Sequence, residues 1–228
     1  MRKDQVIALD GPSGSGKSTV AKLIAQKKNL TYIDTGSMFR SVGLVLSEEN
    51  INFTEAPIDE KVIADFLKNN RLEYAPSKGV LISFNGMDLT ARIREHHVSK
   101  LASQISKIKV VRDYLADWQR RIVQDREAIL DGRDIGTVIF PNAALKIFLT
   151  ASSKERASRR FEELQARGEN NISYESILKD IEDRDHEDMT RPIAPLKKAE
   201  DAIELDTTGK KVEDIVQDII GLWESRKV

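Results

Sequence analysis

The sequence predicts an α/β fold in which a central parallel sheet is flanked by helices. Short apolar runs that suit buried strands recur at 6–9, 30–33, 128–130, 145–149 and 202–205. Stretches with helical spacing of apolar residues separate these runs. Strands that alternate with helices in this way join through right-handed crossovers and form parallel sheets. The first run also leads directly into a glycine-rich loop and a helical pattern.

The glycine-rich loop at 11–18 reads Gly-Pro-Ser-Gly-Ser-Gly-Lys-Ser, a full match to the phosphate-loop pattern G-x-x-x-x-G-K-S/T. Its glycines permit backbone angles closed to other residues, so successive N–H groups can point inward and surround phosphate oxygens. Lys17 adds a mobile positive charge, and the Ser18 hydroxyl suits Mg²⁺. The loop therefore predicts a nucleoside triphosphate site. The residues expected to line it are Gly11, Pro12, Ser13, Gly14, Ser15, Gly16, Lys17, Ser18 and Thr19.

Composition limits the class of protein. The 228 residues suit one α/β domain, or one domain with an insertion, and the absence of Cys excludes disulfides and thiol catalysis. The 36 Lys and Arg residues nearly balance the 37 Asp and Glu residues, so no global charge draws the chain to nucleic acid or to an anionic membrane. No apolar signal segment or run of transmembrane length occurs. We expect a cytoplasmic protein without nucleic-acid or membrane partners.

The alternation of strands and helices breaks between residues 59 and 95. Strand-forming runs lie at 71–74, 80–84 and 87–90, and the Asn-Gly pair at 85–86 is a strong hairpin signal. We expect a small antiparallel β insertion at 59–95 and a core made of 1–58 and 96–228. An arginine-rich segment at about 153–190, with a polar tip at 168–171, is expected to form a helical lid over phosphates.

Polar residues at strand ends are the candidates for chemistry, because ligands of parallel sheets bind at the carboxyl ends of the strands. Asp131 is expected to hold Mg²⁺ beside Ser18, directly or through water. Arg156 and Arg160 are four residues apart on a predicted helix, so they share a face and suit a clamp on a transferring phosphoryl group. The alternative interpretations are a polar turn at 131–134 and a solvated helix at 151–167.

The phosphate loop alone leaves several functions open. No Asn-Lys-x-Asp guanine-reading sequence occurs, and no strand ends in the Asp-Glu pair by which many ATPases activate water. These absences disfavour a regulatory GTPase and an ATPase motor. Three classes of protein stay open at this point. They are a kinase for a small acceptor such as UMP or shikimate, a nucleotide-gated binding protein and an RNA-binding protein.

Five segments, taken in order over nearly the whole chain, resemble bacterial cytidylate kinases, which are P-loop nucleoside monophosphate kinases. They are Asp-Gly-Pro-Ser-Gly-Ser-Gly-Lys-Ser at 10–18, Asp-Thr-Gly-Ser-Met-Phe-Arg at 34–40, Asp-Gly-Arg-Asp-Ile-Gly-Thr at 131–137, Ala-Ser-Ser-Lys-Glu-Arg-Ala at 151–157 and Arg-Pro-Ile-Ala-Pro-Leu at 191–196. The resemblance implies a P-loop kinase whose insertion binds the monophosphate, and we expect the protein to be a monomer. It further implies reversible transfer of the γ-phosphoryl group of ATP to CMP or dCMP with Mg²⁺.

The resemblance also implies a substrate site. The positions that would read the cytosine edge are Ser103, Arg112 and Asp134. Those that would hold the ribose are Arg184 and Asp188. Those on the monophosphate are Arg40, Arg133 and Arg191, with Thr35 and Gly132 beside them. A carboxylate that accepts from the cytosine amine repels the uracil carbonyl, which makes Asp134 the expected selector of the base.

Phosphoryl transfer requires in-line placement and charge neutralisation more than a strong base, so arginines rather than histidines are expected to dominate the site. With the roles that the resemblance implies, the expected catalytic residues are Lys17, Arg133, Arg156, Arg160 and Arg191. The resemblance also implies that Asp206 and Thr207 lie beside the adenine.

Overall fold

The computed structural model describes residues 6–75, 80–124, 126–166, 168–169 and 171–226. The strands are β1 (Val6–Asp10), β2 (Thr31–Asp34), β3 (Leu72–Ala75), β4 (Val80–Phe84), β5 (Met87–Asp88), β6 (Ala128–Gly132), β7 (Leu145–Thr150) and β8 (Ile203–Asp206). The helices are α1 (Lys17–Lys28), α2 (Thr35–Glu48), α3 (Glu60–Asn69), α4 (His96–Ile105), α5 (Lys109–Val123), α6 (Ser153–Ala166), α7 (Tyr174–Thr190) and α8 (Val212–Glu224). They fall into two compact units: unit 1 comprises the described residues of Met1–Ile33 and Val123–Val228, and unit 2 comprises those of Asp34–Ile122.

A five-stranded parallel sheet in the order β2-β6-β1-β7-β8 confirms the predicted fold class. Strand β1 lies between β6 and β7, with Val6 opposite Ala128 and Ile7 opposite Leu145. Every residue of β1 is buried. Continuous apolar runs suit such a strand, because a central parallel strand is covered on both faces. The carboxyl ends of β1, β6, β7 and β8 therefore meet at one edge of the sheet.

Helices α1 and α8 pack on the sheet of unit 1 through one hydrophobic cluster. Its members include Ile7, Leu9, Ile24, Ile147, Ile219 and Trp223. Helix α1 ends at Lys28, and Asn29 caps it: the positive φ of 53° marks a left-handed cap, and the Asn29 N–H donates to the Ala25 carbonyl. This packing fixes α1, and with it the phosphate loop from which the helix starts.

Helices α6 and α7 form a hairpin with a small hydrophobic cluster of its own. The cluster consists of Ala157, Leu164, Ile177 and Ile181, and the rings of Phe161 and Tyr174 meet edge to face at 6.3 Å beside it. The hairpin occupies the segment predicted as a lid. Within its predicted tip, Asn170 lies outside the described residues, as does Arg167 at the end of the predicted helix.

Unit 2 contains a three-stranded antiparallel sheet in the order β3-β4-β5. Asn85 and Gly86 both have positive φ, 47° and 84°, and place Phe84 opposite Met87, which is the hairpin that the Asn-Gly pair predicts. Residues 76–79 of the predicted insertion lie outside the described residues.

The boundaries of unit 2 differ from the predicted insertion at 59–95, because helices α2, α4 and α5 belong to the same compact unit as the small sheet. Helix α2 packs closely on α4: a Cβ on Gly43 would lie 3.0 Å from the backbone of Leu101. Only a glycine allows this approach. Among the described residues, the helices include none that is both long and apolar enough to cross a membrane.

Candidate active site

The phosphate loop connects β1 to α1 with the backbone that its glycines predict. Gly11, Gly14 and Gly16 have φ of 146°, 76° and 87°. A Cβ on Gly11 would lie 2.0 Å from the Leu149 carbonyl oxygen, so the start of the loop is fitted against β7. The loop ends at the N-terminus of α1, where backbone N–H groups and the helix dipole favour an anion.

Lys17 lies in the first turn of α1, and its side chain is buried beneath the loop. Its ammonium donates to the Pro12 carbonyl at 2.5 Å and to the Ser15 hydroxyl at 3.2 Å. Burial lowers the pKa of Lys17 well below its ordinary value, and the nearby charge of Arg133 lowers it further. The ammonium is therefore poorly compensated within the protein and suited to an anionic ligand.

Ser18 and Asp131, the two predicted Mg²⁺ ligands, meet in the structure. The Ser18 hydroxyl donates to Oδ2 of Asp131 at 2.7 Å, and the Tyr32 hydroxyl donates to Oδ1 of the same carboxylate at 3.0 Å. The described residues hold no group of three or more His, Cys, Asp or Glu side chains that could bind a metal by themselves. One hydroxyl and one carboxylate fit Mg²⁺, which is usually held by few protein ligands together with phosphates of the substrate.

A cluster of arginines and carboxylates follows the end of β6. Arg133 donates through Nε to Oδ2 of Asp188 at 2.9 Å. Arg191 lies 3.5 Å from Oδ1 of Asp188 and 3.5 Å from Oδ1 of Asp134. The side chains of Asp134, Asp188 and Arg191 are buried. The structure thus brings four predicted substrate residues into one ion-pair cluster in unit 1.

The electrostatics of this cluster favour the ionised form of Asp188. Burial by itself raises the pKa of Asp188, but the positive charges of Arg133, Arg184 and Arg191 outweigh it and hold that pKa below its ordinary value. Arg184 belongs to the same group, because its charge lowers the pKa of Asp188 and also that of Lys17. With three arginines against two carboxylates, the cluster carries a net positive charge, which favours an anionic ligand.

Arg156 and Arg160 have different surroundings although they share a helix. Arg156 is 4% exposed and donates to the carbonyls of Ala151 and Ser13 at 2.9 Å each, and to Asp185 at 2.6 Å. It thereby ties the α6–α7 hairpin to the phosphate loop. The side chain of Arg160 is 36% exposed and pairs with Glu163 at 2.9 Å. The two arginines therefore have different partners in the structure.

Arg159 lies beside the phosphate loop and was not among the predicted site residues. It donates to the Thr207 hydroxyl at 3.1 Å and to the Thr207 carbonyl at 2.8 Å. The Thr207 hydroxyl in turn lies 3.4 Å from the Ser15 carbonyl oxygen. Asp206, the other residue predicted beside the adenine, accepts from the backbone N–H and the hydroxyl of Thr208 at 2.9 and 2.7 Å.

In unit 2, Asp34 organises the start of α2. Its carboxylate accepts from the N–H of Ser37 at 2.8 Å, as an N-cap does. The same carboxylate pairs with Arg40 at 3.3 Å and with Arg94 at 3.6 Å. Thr35, which follows it, is buried. Arg94, at the end of the predicted insertion, therefore joins Arg40 in a second cationic group.

Arg112, predicted to read the cytosine edge, is buried in α5 of unit 2. Its guanidinium lies 5.5 Å from the centre of the Phe39 ring and donates to the Ser106 carbonyl at 3.1 Å. The Ser106 hydroxyl in turn donates to the carbonyl of Ser103, the other residue of unit 2 predicted to read the base, at 2.7 Å. Phe39 and these backbone contacts hold the arginine in one orientation.

The family model that matches this chain is that of cytidylate kinases, over residues 7–225. The chain belongs to the cytidylate kinase family. It is 50% identical over 212 residues to the cytidylate kinase of Fusobacterium nucleatum, covering 92% of this chain and 93% of that protein. It is 45% identical over 215 residues to the cytidylate kinase of Carboxydothermus hydrogenoformans, covering 94% and 95%.

A solved structure of an uncharacterized protein from Eubacterium ventriosum has a similar fold. The TM-score is 0.53 at 13% sequence identity, and the match covers 97% of this chain and 99% of that one. At this identity the likeness supports the α/β fold alone.

For this member of the cytidylate kinase family, sequence reasoning missed four residues of the site region. They are Asp10, Tyr32, Arg94 and Arg159. Asp10 and Tyr32 stand at or near the ends of predicted strands, which is a signal that the search for polar residues at strand ends could have used. Arg159 carried no such signal, because the face that a helical arginine presents depends on how the helix packs.

Proposed function

We propose that the protein is an ATP-dependent kinase that phosphorylates CMP and dCMP, giving CDP or dCDP and ADP. The observation that carries this proposal is the Ser18–Asp131 hydrogen bond of 2.7 Å between the phosphate loop and β6, the strand that also carries the arginine–carboxylate cluster. This contact supports a nucleotide-phosphate site and a Mg²⁺ site at the same edge of the sheet. Membership of the cytidylate kinase family supports the choice of acceptor.

ATP would bind with its phosphates in the loop at 11–18. Backbone N–H groups of such a loop are held by its glycine angles, so they would neutralise charge without reorganising during the reaction. Lys17 would follow the β- and γ-phosphates, since its ammonium is buried and only partly compensated. Asp206 and Thr207 would lie beside the adenine, where Arg159 holds Thr207 in place.

Ser18 and Asp131 would hold Mg²⁺, and Tyr32 orients the carboxylate. The ion supplies neutralisation of phosphate charge when it is bound. The protein contributes the oxygen ligands and their orientation. Ser18 and Asp131 are already in hydrogen-bond contact, so little rearrangement of the pair is needed.

The acceptor would be recognised through its base, ribose and phosphate. We propose that Asp134, with Ser103 and Arg112, reads the cytosine edge, and that Arg184 and Asp188 hold the ribose. The monophosphate would be contacted by Thr35, Arg40, Gly132, Arg133 and Arg191. An ionised acceptor phosphate is already a nucleophile, so the residues need to align it and offset its repulsion from the γ-phosphoryl group. Arg156 and Arg160 would contribute from the lid.

A coupled assay for ADP release tests the proposal with a panel of acceptors: CMP, dCMP, UMP, AMP, GMP and shikimate. CMP and dCMP are expected to give the highest kcat/KM values, and Lys17→Met is the inactive control. Preferential use of UMP or shikimate would assign a different kinase. ATP binding without ADP release for any acceptor would favour a nucleotide-gated binding protein and contradict the proposal.

A further inference from the structure

Asp10 is a buried carboxylate at the end of β1, directly before the phosphate loop, and it is 5% exposed. Its Oδ1 accepts from the backbone N–H of Ile135 at 2.8 Å, and its Oδ2 accepts from that of Gly136 at 2.7 Å. Each carboxylate oxygen therefore serves one backbone N–H on a neighbouring segment. Hydrogen bonds to an ionised acceptor are about twice as strong as neutral ones.

These two N–H groups begin a single helical turn with π geometry, Ile135–Ile139, which follows Arg133 and Asp134 without a gap. The first N–H groups of a helical turn have no carbonyl partner within that turn. The carboxylate of Asp10 supplies the partner for two of them. Without this carboxylate, two buried donors directly after the predicted base-reading residue lose their acceptors. The loss lowers stability and leaves the segment less firmly held.

Gly136 shows how closely the turn fits between its neighbours. A Cβ there would lie 3.1 Å from Cδ of Lys146 and 3.3 Å from Oδ2 of Asp10. The Lys146 ammonium donates elsewhere, to the Pro141 carbonyl at 2.6 Å and to Asp201 at 2.7 Å. The stem of Lys146 therefore packs against the turn, while the carboxylate of Asp10 holds its two N–H groups.

The phosphate loop has a separate support. Gly11 is fitted against the Leu149 carbonyl of β7, and Lys17 donates within the loop to Pro12 and Ser15. Asp10 acts on Lys17 through its charge, but these contacts do not involve its carboxylate. A change of that carboxylate is therefore expected to disturb the 133–137 segment more than the phosphate loop.

We propose that Asp10 is a positioning residue for acceptor selection: it sets the place of Arg133 and Asp134 relative to the strand from which the phosphate loop starts. The inference rests on the proposed function, because it takes Arg133 and Asp134 to bind the monophosphate and the base. It assigns to the Asp that precedes the loop a role in the acceptor site.

Asp10→Asn tests this role with a side chain of the same size. The amide has one acceptor oxygen, and its NH₂ group opposes one of the two backbone N–H groups. The KM for CMP is expected to rise by about tenfold, and the preference for CMP over UMP to fall. The KM for ATP is expected to stay within about twofold of wild type, because the loop keeps its own contacts. Amide hydrogen exchange of a peptide covering 133–140 is expected to be faster in the variant.

Lys146→Met is the matched control. It keeps the aliphatic stem against Gly136 and removes two part-buried hydrogen bonds of the same region, but leaves both bonds of Asp10. It is expected to lower the melting temperature while the KM for CMP stays near wild type. Gly136→Ala is the second test: its Cβ presses on Asp10 and Lys146, so it is expected to reproduce the rise in KM for CMP.

An unchanged KM for CMP in Asp10→Asn, or equal increases for CMP and ATP, would overturn the inference. If Asp10→Asn does not fold, the same criteria apply to Gly136→Ala. The proposed function fails separately, because a wild-type protein that does not use CMP in this assay contradicts it before any variant is compared. In that case the exchange of the 133–140 peptide still decides whether Asp10 holds the segment.

Discussion

The hydroxyl of Ser18 donates to Oδ2 of Asp131 at 2.7 Å, although the two residues are 113 positions apart in the sequence. The contact joins the first turn of α1 to the end of β6. It arises because β1 and β6 are neighbouring parallel strands, with Leu9 opposite Asp131. The sheet thus fixes the distance between these two side-chain oxygens.

Asp131→Asn is expected to reduce kcat/KM by about 10²-fold or more and to raise the Mg²⁺ concentration needed for half-maximal rate, because an amide oxygen carries no net charge to attract the cation. Tyr32→Phe, which removes only the hydrogen bond to Oδ1, is the matched variant and is expected to have a smaller effect. Initial rates measured across a Mg²⁺ titration check both. An identical Mg²⁺ dependence in Asp131→Asn and wild type would mean that the Asp131 carboxylate does not bind the metal ion.

Lys17→Met is expected to lower kcat by about 10³-fold or more, because the buried ammonium acts on phosphate charge that develops during transfer. Lys27→Met, at an exposed position of the same helix, is the control and is expected to leave the rate unchanged. Saturating rates with ATP and CMP provide the measurement. Retention of more than about a tenth of the wild-type rate would contradict the role given to this lysine.

Arg156→Ala and Arg160→Ala are expected to differ in kind. Arg156 is buried and donates to three partners, and its removal leaves the Asp185 carboxylate without its cation, so the free energy of unfolding is expected to fall by about 3 kcal/mol or more. Arg160→Ala is expected to change it by at most about 0.5 kcal/mol, since its pair with Glu163 is exposed, and to lower kcat. Urea unfolding and saturating rates separate the two. An unchanged kcat in Arg160→Ala would leave that residue as part of a solvated helix face.

Asp10 is expected to give stability a distinctive pH dependence. Burial raises the pKa of its carboxyl group to about 6, against the hydrogen bonds from Gly136 and Ile135 that lower it. The folded state then binds this proton more tightly than the unfolded state, so the contribution of Asp10 to stability falls as pH rises from about 4 to about 6. Relative to Asp10→Asn, wild type is expected to lose stability over this window, by on the order of 3 kcal/mol at most. Urea unfolding from pH 4 to pH 7 measures the free energy of unfolding of both proteins. If the two free energies change in parallel with pH, the raised pKa of Asp10 is contradicted.

The elements whose signals are local were predictable from the sequence. The phosphate loop, the apolar strands and the Asn85-Gly86 turn each depend on backbone preferences within a few residues. The meeting of Ser18 and Asp131 was also predictable, because parallel strands present their carboxyl ends at one edge.

Other features depend on packing between distant segments and left no local signal. The burial of Arg156 and the exposure of Arg160 follow from how α6 lies against α7 and the loop, which four-residue spacing does not determine. The close approach of Gly43 to Leu101 likewise places α2 with α4, and the extent of unit 2 follows from it. Asp10 reads as the end of a strand in the sequence, and its two N–H partners lie 125 and 126 positions away.

The most direct test of the account is the ratio of kcat/KM for CMP to that for UMP, measured in wild type and in Asp134→Asn. Wild type is expected to favour CMP strongly. The variant is expected to lose about 2 to 4 kcal/mol of transition-state stabilisation with CMP. Because the amide can rotate to offer a donor to the uracil carbonyl, the ratio of kcat/KM for CMP to that for UMP is expected to fall. A wild-type ratio near one would contradict the assignment as a kinase of cytidine monophosphates. A reduced rate with an unchanged ratio would mean that Asp134 positions its neighbours and that the base is read elsewhere.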